Sequence, residues 1–188
     1  MALISRTHTC ACCSDGQGGN QDTHFDRRHF LRLGAGAGLA ATFPTFSFGA
    51  TGKYEAMLLT CIDPRFPERT IRYMERRHLA GKYSQFTFAG AAIGVVAPAF
   101  RDWEKTFWDN LAASIKLHNI SRVIAMNHRD CSAAEIAYGK DKVINSRIET
   151  ETHRAALMEF RRQVGERHPT LAVETGLMSL NGRVEMFS

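Results

Sequence analysis

AMLLTCIDPRF, residues 56–66, is a short apolar run that ends in polar side chains and a proline. Such a run, stopped by Pro64, predicts a buried strand that delivers its last residues to the edge of a sheet. Ligands of open α/β sheets bind outside the carboxyl ends of the strands. The thiol of Cys61, the carboxylate of Asp63 and the guanidinium of Arg65 are therefore candidate site residues.

A second run of the same design, RVIAMNHRDC, occupies residues 122–131. His128 and Cys131 are three residues apart, which brings their side chains to one side of a turn or helix start. Together with Cys61 they would form a Cys2His zinc site whose fourth position is open. That arrangement is typical of catalytic rather than structural zinc.

This ordered pair of motifs resembles the β-class carbonic anhydrases, whose zinc ligands come from Cys-x-Asp-x-Arg and, much later, His-x-x-Cys. The similarity runs from about Ala56 to about Phe187. It implies that Cys61, His128 and Cys131 bind Zn2+, and that a zinc-bound hydroxide reversibly hydrates carbon dioxide to bicarbonate. It also implies a homodimer or a higher homo-oligomer, because the family usually builds its site at a dimer interface.

The same resemblance gives catalytic roles to the other two motif residues. Asp63 would accept a hydrogen bond from the hydroxide, and Arg65, bidentate to Asp63, would hold that carboxylate off the metal. If the pair breaks, Asp63 could become the fourth ligand and close the site. Two thiolates and an imidazole cancel the charge of zinc, so we expect a less acidic bound water and activity at neutral to alkaline pH.

Three departures from the family pattern leave other functions open. Ser132 replaces a common glycine, Pro64 replaces a small residue, and Thr87-Phe-Ala-Gly-Ala91 stands where a more polar segment is typical. A more apolar pocket would suit hydrolysis of carbonyl sulfide or carbon disulfide. A non-catalytic exported zinc-binding domain is the other alternative. Retention of Asp63 and Arg65 favours an enzyme, because a purely structural zinc site has no need of them.

The motif residues also allow simpler interpretations. An isolated Asp-x-Arg is usually an exposed ion pair that contributes little to stability. Cys61 and Cys131 could form a disulfide bond instead of binding a metal.

The N-terminal 50 residues differ in composition from the rest of the chain. Residues 1–25 are polar, so we expect them to be disordered. DRRHFLR at residues 26–32, followed by a Gly/Ala-rich apolar stretch to residue 50, resembles a twin-arginine export signal. The predicted division is a signal peptide over residues 1–50 and a zinc domain over residues 51–188. The alternative is a disordered arm followed by a short helix.

The cysteines fit this division. Of five, Cys10, Cys12 and Cys13 precede the paired arginines, and no metal is assigned to them. Cys61 and Cys131 alone remain beyond the predicted cleavage site, where an oxidising compartment would make free thiols a liability. We therefore expect export through the twin-arginine machinery to the periplasm of a bacterium, with no stable membrane insertion after cleavage.

The distribution of charged residues bears on whether the protein binds nucleic acid. The formal net charge is +5, but the basic residues alternate with acidic ones on amphipathic segments, so we do not expect nucleic-acid binding.

Helices are predicted over residues 67–79, 103–118, 132–138 and 152–167, and strands over 56–60, 84–90 and 122–126, with a terminal strand and hairpin over 171–187. Alternating strands and helices predict an α/β domain with a mainly parallel sheet and a C-terminal edge hairpin.

Overall fold

The computed structural model describes residues 54–188, which contain one five-stranded sheet in the order β2-β1-β3-β4-β5. The strands are β1 (Ala56–Thr60), β2 (Tyr83–Thr87), β3 (Arg122–His128), β4 (Ala172–Met178) and β5 (Val184–Phe187). The first four strands are mutually parallel, and β5 pairs with β4 in the antiparallel direction. The predicted mainly parallel sheet with a C-terminal edge hairpin is confirmed.

The two central strands carry the apolar runs that the sequence singles out. All five residues of β1 and the last six of β3 are buried, as expected for strands covered on both faces. Thr60 pairs with Met126, so residues that follow β1 and residues at the end of β3 leave the sheet at the same edge. Both halves of the predicted site therefore meet there.

Helices cover both faces of the sheet. They are α1 (Pro67–Arg76), α2 (Ala92–Val96), α3 (Arg101–His118), α4 (Ser132–Tyr138) and α5 (Ser146–Arg167), with 3-10 turns at Pro98–Phe100 and Lys140–Lys142. One apolar cluster joins β1 and β3 to α3 and α5 through Phe107, Leu111 and Phe160. A smaller cluster on the opposite face includes Phe66 and Met74.

Several predicted boundaries are wrong, each for a local reason. Helix α5 begins at Ser146, six residues before the predicted start, because Asn145 Oδ1 accepts hydrogen bonds from the amides of Arg147 and Ile148. Helix α2 occupies residues for which no helix was predicted. Strand β3 continues two residues past Met126 and includes His128.

The aromatic residues of α3 are divided between core and surface. Phe107 is fully buried and packs against Phe86 and Phe160 at ring-centroid distances of 6.0 and 5.4 Å. Trp103 stacks on Phe100 with its ring centroid 4.6 Å away, yet it stays 41% exposed. Core packing thus accounts for Phe107 and only partly for Trp103.

The predicted export signal at residues 1–50, with Cys10, Cys12 and Cys13, lies outside the described residues. Within residues 54–188, no helix combines the length and apolar character that crossing a membrane requires.

Candidate metal centre

Three side chains predicted as metal ligands converge at the carboxyl edge of the sheet. Cys61 follows β1, His128 is the last residue of β3, and Cys131 immediately precedes α4. Their ligand atoms lie within 4.8 Å of one another, and all three residues are buried. Elsewhere in residues 54–188, no other group of three or more His, Cys, Asp or Glu side chains is close enough to hold an ion.

The imidazole of His128 is fixed in the orientation that a metal ligand needs. Nδ1 lies 2.8 Å from the backbone carbonyl oxygen of Arg129, to which it donates, and the ring stacks on Phe66 at a centroid distance of 4.1 Å. Nε2 is buried and has no hydrogen-bond partner among the described residues. In metal-bound histidines, one ring nitrogen usually binds the metal while the other donates a hydrogen bond that fixes the orientation of the ring. The donor set therefore fits a zinc ion.

The two thiols are free, so the alternative disulfide bond between them does not form in this structure. A hydrogen bond from the Cys131 thiol lowers the pKa of Cys61 well below its usual range. The Cys61 sulfur in turn raises the pKa of Cys131, since a second thiolate beside the first is disfavoured without a cation. Burial lowers the pKa of His128, but the Cys61 side chain, the Arg129 carbonyl and Asp63 together raise it, and the net shift is upward. A bound cation would remove the conflict between the two thiolates.

The loop after β2 supports the first thiolate. Gly90 has φ of +78° and donates its backbone N–H to Cys61 Sγ at 3.2 Å. A Cβ at this position would also lie 3.1 Å from Ala133 Cβ. The backbone at Gly90 therefore approaches a proposed metal ligand closely, as a residue without a side chain allows.

Asp63 and Arg65 form the predicted bidentate pair beside the thiolates. Arg65 Nε lies 3.0 Å from Asp63 Oδ1, and Nη2 lies 2.6 Å from Oδ2. The hydrogen bond from the Arg65 side chain lowers the pKa of Asp63 to about 2. Asp63 Oδ2 is 3.9 Å from His128 Nε2, so the pair faces the metal ligands and is not an isolated surface contact.

Asp130 is a site residue that sequence reasoning missed. Arg65 Nη1 donates to Asp130 Oδ2 at 2.6 Å, and Nη2 donates to the Asp130 backbone oxygen at 2.8 Å. Asp130 has φ of +57°, an unfavourable backbone conformation for a residue other than glycine. Arg65 thus joins the segment after β1 to the segment between His128 and Cys131.

Glu149 holds the same segment from the opposite side. Its Oε1 accepts the backbone N–H of Asp130 at 2.6 Å, and its Oε2 accepts from Arg129 Nη1 at 3.0 Å. Glu149 is only 8% exposed, which is unusual for a glutamate and explains why it is paired. No motif signals this role, because Glu149 reaches the site only through the packing of α5.

A second buried contact lies behind His128. Asn127 Oδ1 accepts the backbone N–H of Ala92 at 3.0 Å, and Asn127 Nδ2 lies 3.1 Å from His153 Nδ1. Burial, and then the charges of His128 and Arg129, lower the pKa of His153 to about 3. His153 is fully buried, so its role here is structural.

A cavity of about 630 Å3 opens beside the centre. Its lining includes Cys131, Glu135, Lys140 and Ser179, and it lies between the start of α4, the residues before α5 and the turn after β4. Val143, Ile144 and Leu180 also line it, so the space next to Cys131 is bordered by both polar and apolar side chains. The segment Thr87–Ala91, predicted to make the pocket more apolar, contributes no residue to this cavity.

Solved structures with the same fold are β-carbonic anhydrases. The enzyme from Coccomyxa in complex with acetazolamide matches 74% of this chain and 74% of its own, with 12% identity and a TM-score of 0.51. The β-carbonic anhydrase CcaA matches 86% of this chain and 85% of its own, also with 12% identity and a TM-score of 0.51. The chain therefore has the β-carbonic anhydrase fold.

Sequence comparison identifies the family. The family described as "Putative carbonic anhydrase" matches residues 51–168. An uncharacterised protein of Rickettsia conorii is 31% identical over 129 residues, which make up 69% of this chain and 69% of that protein. The chain belongs to this carbonic anhydrase family.

Proposed function

We propose that this protein is a zinc-dependent carbonic anhydrase that reversibly converts carbon dioxide and water to bicarbonate and a proton. The observation that carries the proposal is the buried Cys61, His128 and Cys131 cluster with the Asp63–Arg65 pair facing it. A zinc ion held by these three residues would supply a Lewis acid that acidifies a bound water.

The role proposed for Asp63 is to orient the nucleophile. Because the pKa of Asp63 is lowered to about 2, its carboxylate is ionised at neutral pH and accepts a hydrogen bond. Arg65 occupies both Asp63 oxygens and is itself anchored to Asp130, so the carboxylate is held in one place. The charges of Asp63, Arg65 and Asp130 therefore stay fixed in position as the reaction proceeds. Charges held in place in this way are how a preorganised site stabilises a transition state.

The test is carbon dioxide hydration by stopped flow, with zinc content measured on the same samples. Asp63→Ala should retain zinc and lose about 100-fold or more in hydration rate, because it removes a preorganised hydrogen-bonding group beside the nucleophile. The matched control is Asp109→Ala, which removes an exposed carboxylate from a pair with Lys105 on α3. Equal rates for Asp63→Ala and wild type would contradict the proposal.

The same assay separates the alternative functions. Zinc binding with no carbon dioxide hydration, but with hydrolysis of carbonyl sulfide or carbon disulfide, would assign the site to those substrates. Zinc binding with none of the three activities would assign a non-catalytic zinc-binding domain.

We also propose that the protein is exported and self-associates. The support for export is the paired Arg27 and Arg28 with the apolar stretch to residue 50. Cell fractionation should find the protein in the periplasm, and replacement of both arginines by lysine should retain it in the cytoplasm.

The support for a homodimer is the family resemblance together with the apolar side chains of Ile62 and Trp103, which are 63% and 41% exposed. Light scattering of the purified protein should give at least twice the chain mass.

A further inference from the structure

Four arginines line one pocket on the side of α1 that faces the β4–β5 turn. Arg69, Arg72 and Arg76 are separated by three and four residues, which places them along one face of the helix. Arg183 reaches the pocket from the turn, and Asn181 and Gly182 complete the lining. The pocket volume is about 350 Å3.

Most of this positive charge is not neutralised by the protein. Arg72 pairs with Glu68 one turn earlier. Across residues 54–188, no carboxylate lies within 4.0 Å of the guanidinium groups of Arg69, Arg76 or Arg183. Like charges at this spacing on a helix are mutually repulsive, so an anion bound among them would be stabilising.

The pocket is also partly preorganised. Gly182 has φ of +81°, and a Cβ there would lie 3.5 Å from Arg69 Cγ, so the turn backbone packs on the aliphatic stem of Arg69. Arg69 additionally donates to the backbone oxygen of Arg65. The side chain of Asn181 accepts the backbone N–H of Arg183 at 3.0 Å and thereby fixes the turn. The side chain of Arg69 and the backbone of the turn that carries Arg183 are thus positioned before any ligand arrives.

We propose that this arginine pocket binds a phosphate-type oxyanion, either inorganic phosphate or a phosphate monoester. The planar guanidinium group matches phosphate oxygens in a bidentate manner, and several such groups around one pocket suit a multiply charged oxyanion. The volume is at the lower end of the range for small-molecule sites. An extended nucleic acid fits less well, because Glu68 and Glu75 interrupt the basic surface along the same helix. The site does not depend on the function of the metal centre.

The proposal is tested with the zinc-loaded full chain, titrated with inorganic phosphate and separately with phenyl phosphate. Isothermal calorimetry at an ionic strength of about 0.05 M keeps charge screening weak. We expect one site per chain with a dissociation constant of roughly 0.1 to 1 mM. Substitution of Arg76→Gln and Arg183→Gln together should weaken binding at least about tenfold, since each removes a charged hydrogen-bond donor. Neither residue makes an ion pair in residues 54–188, so the double variant should fold normally.

The matched control is Arg101→Gln, which removes an exposed arginine from the start of α3, outside the pocket. It should bind phosphate as tightly as the wild type. Tighter binding of phenyl phosphate than of inorganic phosphate would support a phosphorylated small molecule as the ligand, and equal binding would support free phosphate. Absence of binding by the wild type, or unchanged binding by the double variant, would overturn the proposal. Unchanged binding would also show that any phosphate seen is held elsewhere, including at the metal.

Discussion

Substitution of Glu149 by alanine should weaken both the fold and the metal centre. The side chain accepts two hydrogen bonds, one from the Asp130 amide at 2.6 Å and one from the Arg129 guanidinium at 3.0 Å. Both involve a charged group, and each such bond contributes roughly 1.5 to 3 kcal/mol. Glu149→Ala also leaves a buried amide and a partly buried cation without this partner. Because Arg129 keeps other acceptors, we expect a loss of about 2 to 4 kcal/mol in the free energy of unfolding.

The assay is urea unfolding of the zinc-free and zinc-loaded protein, followed by competition for zinc with a chelating dye. Asp130 sits between two proposed ligands in an unfavourable conformation that Glu149 helps to maintain. Loss of such supporting contacts typically weakens metal affinity by about 10 to 100-fold. The difference in unfolding free energy should therefore be larger for the zinc-loaded protein than for the zinc-free protein.

Glu151→Ala is the matched control, because it removes a 61% exposed carboxylate from the same helix and breaks only an i,i+4 pair with Arg147. Its cost should stay below about 0.5 kcal/mol. Glu149→Gln keeps an oxygen acceptor for the Asp130 amide and should fall between the other two variants. If Glu149→Ala behaves like Glu151→Ala in both unfolding and zinc affinity, the reasoning about this segment is refuted.

Two further predictions concern the support of the fold. The folded pKa of His153 is about 3, below its usual value near 6.5, so the unfolded chain binds more protons below pH 6.5 and stability falls as the pH drops from there. Between pH 7.5 and 5.5 this loss of unfolding free energy should be about 1.4 kcal/mol. It is measured by urea unfolding of the wild type and of His153→Gln, in which this part of the pH dependence should disappear. An identical pH dependence in the wild type and the variant would contradict the lowered pKa of His153. Gly94→Ala should cost about 2 to 3 kcal/mol, because the new Cβ would lie 2.2 Å from a backbone oxygen. Gly165→Ala, within α5 and with open space around it, should instead raise the unfolding free energy by about 0.5 to 1 kcal/mol, and the same effect at both positions would argue against the packing around Gly94.

The ligand positions could be predicted because they follow strands whose pattern is strong. Short apolar runs within strands of five and seven residues identify β1 and β3, and parallel pairing brings their carboxyl ends to one edge. Cys61 and His128 had to meet there once the two strands were neighbours. The pairing of Asp63 with Arg65 was predicted from the resemblance to the β-carbonic anhydrases, not from the spacing alone.

The supporting contacts could not be predicted, because they depend on where α5 begins and how it packs. Asn145 sets that beginning, and the resulting helix places Glu149 against the Asp130 amide. A buried glutamate has no signature that distinguishes it from an exposed one in the sequence. Helix α2 was missed for a related reason, since four of its five residues are buried and it shows no polar face.

The arginine pocket could likewise be predicted only in part from the sequence. The spacing of Arg69, Arg72 and Arg76 can be read from the sequence as one helix face. The approach of Arg183 depends on how the β4–β5 turn lies against α1, which no local pattern records.

The most direct test of the central claim is to measure zinc content and carbon dioxide hydration on one preparation, before chelation, after chelation and after zinc is restored. We predict about one zinc per chain, with a hydration rate that rises from pH 7 to about pH 9, disappears with the metal and returns with it. Hydration that persists without zinc, or a zinc-loaded protein that does not hydrate carbon dioxide at any pH in this range, would contradict the account.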